Sequence, residues 1–235
     1  MKKVLFFSVV ALSALMVSCN KPAAAPQNEE KPEVTTEASQ ELSAISVANE
    51  LARHGYAVES PMALIEAADI LASTPTRPAD AKITEQGPEN ADEEEKVAAP
   101  EITPEQLLAD ARALTDDANL LALADKVAAK LAAESAGTRG NSYGPKYGRY
   151  RVYANSYMTF DEKFRASEIA EVAVSGDRTT DLDLYVYDEN GNLIASDTDY
   201  TDQCYVSFCP RWTGWFRIKV LNRGRVYNDY SIATN

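Results

Sequence analysis

Hydrophobic residues are arranged in successive regimes along this chain. Val4 to Val17 is an almost unbroken apolar run behind Met1, Lys2 and Lys3. At about 1.5 Å of rise per residue the run is too short to span a hydrocarbon core of about 30 Å with ease. Residues 19–40 show no apolar periodicity and are rich in Ala, Pro, Glu, Thr and Lys, which predicts a disordered tether.

Residues 41–136 then read as α-helical. Leu42, Ile45, Val47, Ala48, Leu51 and Ala52 recur at helical spacing, and Gly55 is placed to cap the end. Ser60-Pro61 reads as an N-cap with a first-turn proline, followed by Met62, Leu64, Ile65, Ala68, Ile70 and Leu71. Thr103-Pro104 repeats the device ahead of Leu107, Leu108, Ala111 and Leu114, and a last helix is predicted from about Asp117 to Ala133. The segments 60–71 and 103–114 share [Ser/Thr]-Pro-x-x-Leu-[Ile/Leu]-x-x-Ala-x-x-Leu, which suggests two helical hairpins in one small bundle. Between them, at about 73–103, lie Pro75, Pro78, Pro88, Pro100 and the acidic run Asp92-Glu93-Glu94-Glu95, expected to be a solvated linker.

Past a Gly-, Ser- and Tyr-rich boundary at 138–147 the period changes to two. Eight segments read as strands: Arg149–Tyr153, Tyr157–Phe164, Ile169–Ser175, Asp181–Tyr187, Leu193–Ser196, Cys204–Phe208, Gly214–Leu221 and Val226–Ala233. Leu182, Leu184 and Val186 alternate cleanly, and Asn190-Gly191 marks a tight hairpin. The fold class expected is α + β: a tether and a small α-helical hairpin region, then an all-β, jelly-roll-like sandwich over 148–235.

Charge changes the picture next. The chain carries −13 overall. Residues 19–139 hold 10 basic and 23 acidic side chains (10 − 23 = −13), and residues 140–235 hold 11 and 13 (11 − 13 = −2). An acidic chain is repelled by phosphate backbones, so a nucleic-acid role is disfavoured. The basic flank, short apolar centre and Ser18 before Cys19 describe a secretory signal over 1–18. Met16-Val17-Ser18-Cys19 resembles the lipobox of bacterial lipoproteins, with Met16 in place of the usual Leu. The resemblance implies cleavage before Cys19, lipidation of Cys19 (the palmitate-bearing class) and attachment to the membrane of the cell envelope. Asn20, not Asp, follows the cysteine, which implies the outer membrane.

Residues 175–196, from Ser175-Gly176-Asp177 through Asp181-Leu182-Asp183-Leu184-Tyr185-Val186-Tyr187 to Ala195-Ser196, resemble the bacterial pre-peptidase C-terminal domain. Thr213-Gly214-Trp215-Phe216-Arg217-Ile218-Lys219-Val220 and Asn228-Asp229-Tyr230-Ser231-Ile232 extend the likeness over about 148–235. It implies a β-sandwich of the kind found beside secreted peptidases, some of which bind calcium or extracellular polymers. Arg178 and Thr179 depart from the usual Gly-Asp of that turn.

Few residues suggest chemistry. His54 is the sole histidine, at a helix end where a cation suits the dipole, so no catalytic residue is expected. Asp181 and Asp183 share a strand face, and Asp197 and Asp199 follow the next strand; if the two strands pair, these carboxylates are a candidate calcium site. Cys204 and Cys209 form a disulfide only if the segment between them bulges or turns, because five extended residues cover about 17 Å and a bridge needs about 5.5 Å. Trp212, Trp215 and Arg217, near Arg211, Lys219, Arg223 and Arg225, are candidate contacts for a glycan or anionic polymer. The function expected is a non-catalytic envelope lipoprotein whose sandwich is a binding or structural module, its partner an envelope protein or extracellular polymer. The alternative is an accessory subunit of an envelope peptidase acting in trans, and the least favoured reading is an enzyme of unrecognised type.

Overall fold

The computed structural model describes residues 27–29, 37–74, 76–79, 82–87, 98–137 and 145–235. Cys19, the segment 1–18 and the acidic run at 92–95 lie outside them. The elements are α1 (Glu37–Ala57), α2 (Pro61–Ser73), β1 (Arg77–Pro78), β2 (Lys82–Gln86), α3 (Pro104–Ala113), α4 (Ala118–Gly137), β3 (Lys146–Val152), β4 (Tyr157–Phe164), β5 (Ala170–Ser175), β6 (Leu182–Asp188), β7 (Leu193–Asp197), β8 (Gln203–Phe208), β9 (Gly214–Asn222) and β10 (Asn228–Thr234).

Both proline caps form as read. Ser60 Oγ accepts the amide of Ala63 at 3.3 Å, and Thr103 Oγ1 accepts that of Gln106 at 3.0 Å. Gly55 does not cap. Helix α1 runs two residues beyond it, and Gly55 instead lets α2 come close, since a Cβ there would lie 2.7 Å from Leu64 Cδ2. The stripes of the four helices close on one core that includes Ala52, Leu64, Ile65, Leu107, Leu108, Ala124 and Val127.

The strands form two five-stranded sheets, ordered β1-β3-β10-β5-β8 and β2-β4-β9-β6-β7. From β3 onward the chain changes sheet at each connection except β6–β7, the Greek-key habit of a jelly-roll-like sandwich. That hairpin turns through Gly191 at φ +78°, and Asp188 Oδ1 accepts the amides of Asn190 and Asn192, each at 2.9 Å. The inward-alternating residues of both sheets, among them Phe160, Val172, Leu184, Val206, Phe216, Ile218 and Tyr230, make one core.

Two sequence expectations are corrected. The segment 73–103 is not merely a linker: β1 pairs parallel with β3 (Arg77 opposite Lys146), and β2 pairs antiparallel with β4 (Ile83 opposite Phe160). Each sheet thus gains an edge strand from the helical half of the chain. Nor is all of 19–40 a free tether, since Asn28 is buried against the sandwich and α1 begins at Glu37. The helical part also rests on the sandwich. Leu42 and Ile45 of α1 pack on Ala173 of β5 and Ala233 of β10, whose small side chains leave room for a helix on the outer face of the sheet.

Candidate functional site

Helix α1 has two working faces. Ala48 and Ala52 turn inward toward packed neighbours, while Asn49, Arg53 and Tyr56, at spacings of four and three, follow the side that looks onto the sheet β3-β10-β5. Between that side, the segment 98–102 and the outer sheet surface lies a cleft of about 640 Å³. Tyr56, Pro100, Ile102, Tyr147 and Tyr150 give it apolar and aromatic walls.

Arg53 lines this cleft and is only 8 % exposed. Its Nη2 donates to Ser175 Oγ and, at 3.0 Å, to Gln203 Oε1. Its Nε and Nη1 are buried with no hydrogen-bond partner among the described residues. Glu50 lies 3.9 Å from Nη2, beyond hydrogen-bonding range, and is drawn to Arg178. Burial holds the Arg53 pKa below the usual guanidinium value, with Glu50 and Asp202 opposing that shift. Burial also pushes the Tyr147 hydroxyl upward, so it stays a neutral donor. Around the rim the other cations are paired: Arg149 with Glu101 at 3.2 Å, and Arg151 with Asp229 at 2.7 Å, the latter also lying over the Tyr227 ring. The cleft therefore offers apolar walls and one guanidinium with unfilled donors, a combination suited to a carboxylate on an apolar or ring-bearing body.

The residues singled out from sequence lie elsewhere. The four aspartates do not form one ligand set. Asp183 is on the outer face of β6, where it pairs with Arg223 at 2.6 Å and accepts from Tyr185 at 3.0 Å. Asp197 is the register partner of Leu184, on the opposite face of the sheet, and accepts the amide of Tyr205 at 2.9 Å. Asp199 caps the Thr201 turn at 2.8 Å. Asp181 has its pKa raised by burial and by nearby Asp183. Among the described residues no group of three or more His, Cys, Asp or Glu is placed to hold a metal ion. The period-two alternation that puts Asp181 and Asp183 on one face puts Asp197 on the other.

Cys204 and Cys209 are both buried, and no disulfide joins them. Strand β8 runs extended through Phe208, so the segment neither bulges nor turns, and residues five apart point to opposite faces. Cys204 Sγ donates to the Leu182 carbonyl, and burial pushes its thiol pKa up. His54 is exposed in the last turn of α1.

Trp212, Trp215 and Arg217 do not converge on one pocket. Trp215 stands 57 % exposed on the outer face of β9. Arg217 is held by Asp161 through two hydrogen bonds, of 2.9 and 3.2 Å. Trp212 is engaged at the sheet end by Asn28 and Glu189. Sequence reading missed Arg53 because its partners come from β5 and β8, more than a hundred residues away. The one local signal was an arginine two residues past Leu51 in an Ala-rich stripe.

No protein-family model matches the chain, and no curated protein matches it. Among solved structures it is similar to the CBM51-2 and INT domains of Clostridium perfringens ZmpB. That match has 16 % identity over 36 % of this chain and 21 % of that one, with a TM-score of 0.26, so the chain spans about a fifth of that protein. The C-terminal CBM6 of LamC, a laminarinase from the marine Zobellia galactanivorans, aligns at 13 % identity over 35 % of this chain and 74 % of that one, TM-score 0.24. The SPBc2 prophage-derived protein YomS aligns at 18 % identity over 40 % and 98 %, TM-score 0.25.

Proposed function

We propose that this protein is an exported, non-catalytic binding module, anchored by a lipid on Cys19 at the outer membrane, that takes a carboxylate-bearing ligand in the cleft between α1 and the sandwich. The observation that carries the reading is Arg53: a nearly fully buried guanidinium whose Nε and Nη1 donors have no acceptor among the described residues, at the wall of a cleft of about 640 Å³. Buried donors left unpaired cost free energy, and a ligand oxygen that fills them recovers it. The tyrosine walls suit an apolar or ring-shaped body behind the carboxylate.

The test uses soluble chain 20–235 and a matched pair of probes, phenylacetate and phenylacetamide, which differ in charge and little in shape. Calorimetric titration should show the carboxylate bound at least tenfold more tightly, about 1.4 kcal/mol. Arg53→Gln should remove the difference. Equal affinity for the two probes, or no binding of either, overturns the proposal.

A second surface supports contact with an extracellular polymer. On the outer face of the other sheet Trp215 is exposed, Tyr185 and Tyr187 stack with centroids 6.3 Å apart, and Lys219 lies over Tyr157. Such rings stack on flat ligands. Quenching or a shift of Trp215 fluorescence by a soluble glycan, lost in Trp215→Ala, tests it.

A further inference from the structure

Gln27 and Asn28 of the N-terminal segment bond to the sandwich, 160 or more positions away in sequence. Asn28 is fully buried, at 0 % exposure. Its side-chain Oδ1 accepts the Trp212 amide at 3.0 Å, and its Nδ2 donates to the Trp212 carbonyl at 3.0 Å. The Nδ2 also reaches Glu189 Oε2 at 3.4 Å, and the Asn28 amide donates to Asp188 Oδ2 at 3.0 Å. Gln27 adds a bond from Nε2 to the Leu193 carbonyl at 3.2 Å.

The receiving pocket is held in place independently of Asn28. Asp188 is fixed by the turn amides of Asn190 and Asn192 and by Asn192 Nδ2. The Trp212 indole donates to Glu189 Oε1 and sets the other wall. Gly214 makes the room, because a Cβ there would stand 3.0 Å from Asn28 Nδ2 and 3.1 Å from Glu189 Oε2. The chemistry is selective. A carboxamide offers one acceptor and one donor edge to the N–H and C=O of Trp212. A carboxylate would set an oxygen against the Trp212 carbonyl and beside Glu189.

We propose that this pocket at the β6–β7 end of the sandwich is a carboxamide-binding site, that its ligand is the chain's own Asn28, and that its occupation latches the tether to the sandwich. Given the Cys19 anchor proposed above, on which this consequence rests, the lipid is then nine residues from the docking point (28 − 19 = 9), a reach of at most about 31 Å. With the latch open the next described element is α1, which begins at Glu37, eighteen residues from Cys19 (37 − 19 = 18), a covalent span of at most about 61 Å. The latch halves that upper bound on the reach.

Soluble chain 20–235 tests the latch without lipid. Amide hydrogen exchange at Asn28 and Trp212 should be slowed at least tenfold in the wild type. Asn28→Asp and Gly214→Val, made separately, should each remove that protection while the β10 amides stay protected, which shows the sandwich is intact. A synthetic peptide of residues 24–32 added to the Asn28→Ala protein should shift the Trp212 amide resonance, and the same peptide with Asp at 28 should not. Protection unchanged in Asn28→Asp, or a peptide that leaves Trp212 unmoved, overturns the latch. Lipidated protein on vesicles carrying a dansyl headgroup then tests the reach: energy transfer from tryptophan should fall at least twofold in Asn28→Asp. Unchanged transfer overturns the short-reach proposal. Full-length protein whose Cys19 carries no lipid by mass spectrometry while Asn28 remains protected refutes the Cys19 anchor and leaves the latch standing.

Discussion

If the unfilled donors of Arg53 are a cost retained for ligand binding, they should offset the bonds Arg53 does make, and removing the guanidinium should cost the unliganded protein little stability. Arg53→Met keeps the length and flexibility of the stem and deletes the guanidinium. The deletion relieves two buried nitrogens without partners, at about 1–3 kcal/mol each. It forfeits the two Nη2 bonds to Ser175 and Gln203, about 1.5–3 kcal/mol each for a charged donor, so about 3–6 together. Neither acceptor is stranded, because Ser175 Oγ and Gln203 Oε1 already bond each other at 2.7 Å. Glu50 keeps its Arg178 bond through Oε2, although its buried Oε1 loses the guanidinium 3.9 Å away. Relief of about 2–6 kcal/mol and loss of about 3–6 nearly cancel, so the net change should stay within about 2 kcal/mol, or about 8 °C in Tm for a chain of this size. Thermal unfolding of chain 20–235 without ligand, followed by circular dichroism, reads the shift. Arg53→Lys, which keeps a buried charge but loses the planar fork, should lower Tm. A fall in Tm of more than about 8 °C for Arg53→Met would show that the guanidinium is a net structural bond, and the argument for a ligand-starved site would fail. The same substitution should abolish preference for phenylacetate, so binding is lost while stability is nearly kept.

Leu184→Ala, at a position with 0 % exposure between the sheets, should cost about 2–5 kcal/mol in urea unfolding, and a cost below 1 kcal/mol would contradict the packing described. Asp188 is subject to burial, which raises its pKa, but the hydrogen bonds from Asn192, Asn28 and Asn190 outweigh burial and hold it below the usual carboxylate value. Its stabilising effect is therefore complete above the unfolded value near 4 and is lost as pH falls toward the lower folded one, so Asp188→Asn should flatten the acid limb of a urea-midpoint titration. A fragment 142–235 should fold, because the whole inter-sheet core lies within it, yet melt below chain 20–235 because it lacks β1, β2 and α1; equal midpoints would show those elements contribute nothing. Cys19→Ala should release the full-length protein from membranes into the soluble fraction, and retention after a salt wash would refute the lipid anchor.

What the sequence determines here is whatever depends on neighbours a few residues apart. The two proline caps, four helical stripes, the Asn190-Gly191 hairpin and eight alternating segments are local patterns. Each maps onto an observed element within a few residues at its ends. Period-two alternation likewise assigns Leu182, Leu184 and Val186 to the core. The tertiary structure decides what long-range pairing controls. No local pattern makes Arg77 and Ile83 edge strands, because their pairing partners are β3 and β4 and not each other. Register moves Asp197 to the face opposite Asp183, so the four aspartates are not brought together, and an odd spacing on a straight strand keeps Cys204 and Cys209 apart. Asn28 gains its meaning from a gap at Gly214, and Arg53 from Ser175 and Gln203. Both candidate sites were invisible in one dimension for the same physical reason: a single polar side chain has no periodicity, and its role is set by which distant backbone and side-chain groups surround it once solvent is excluded.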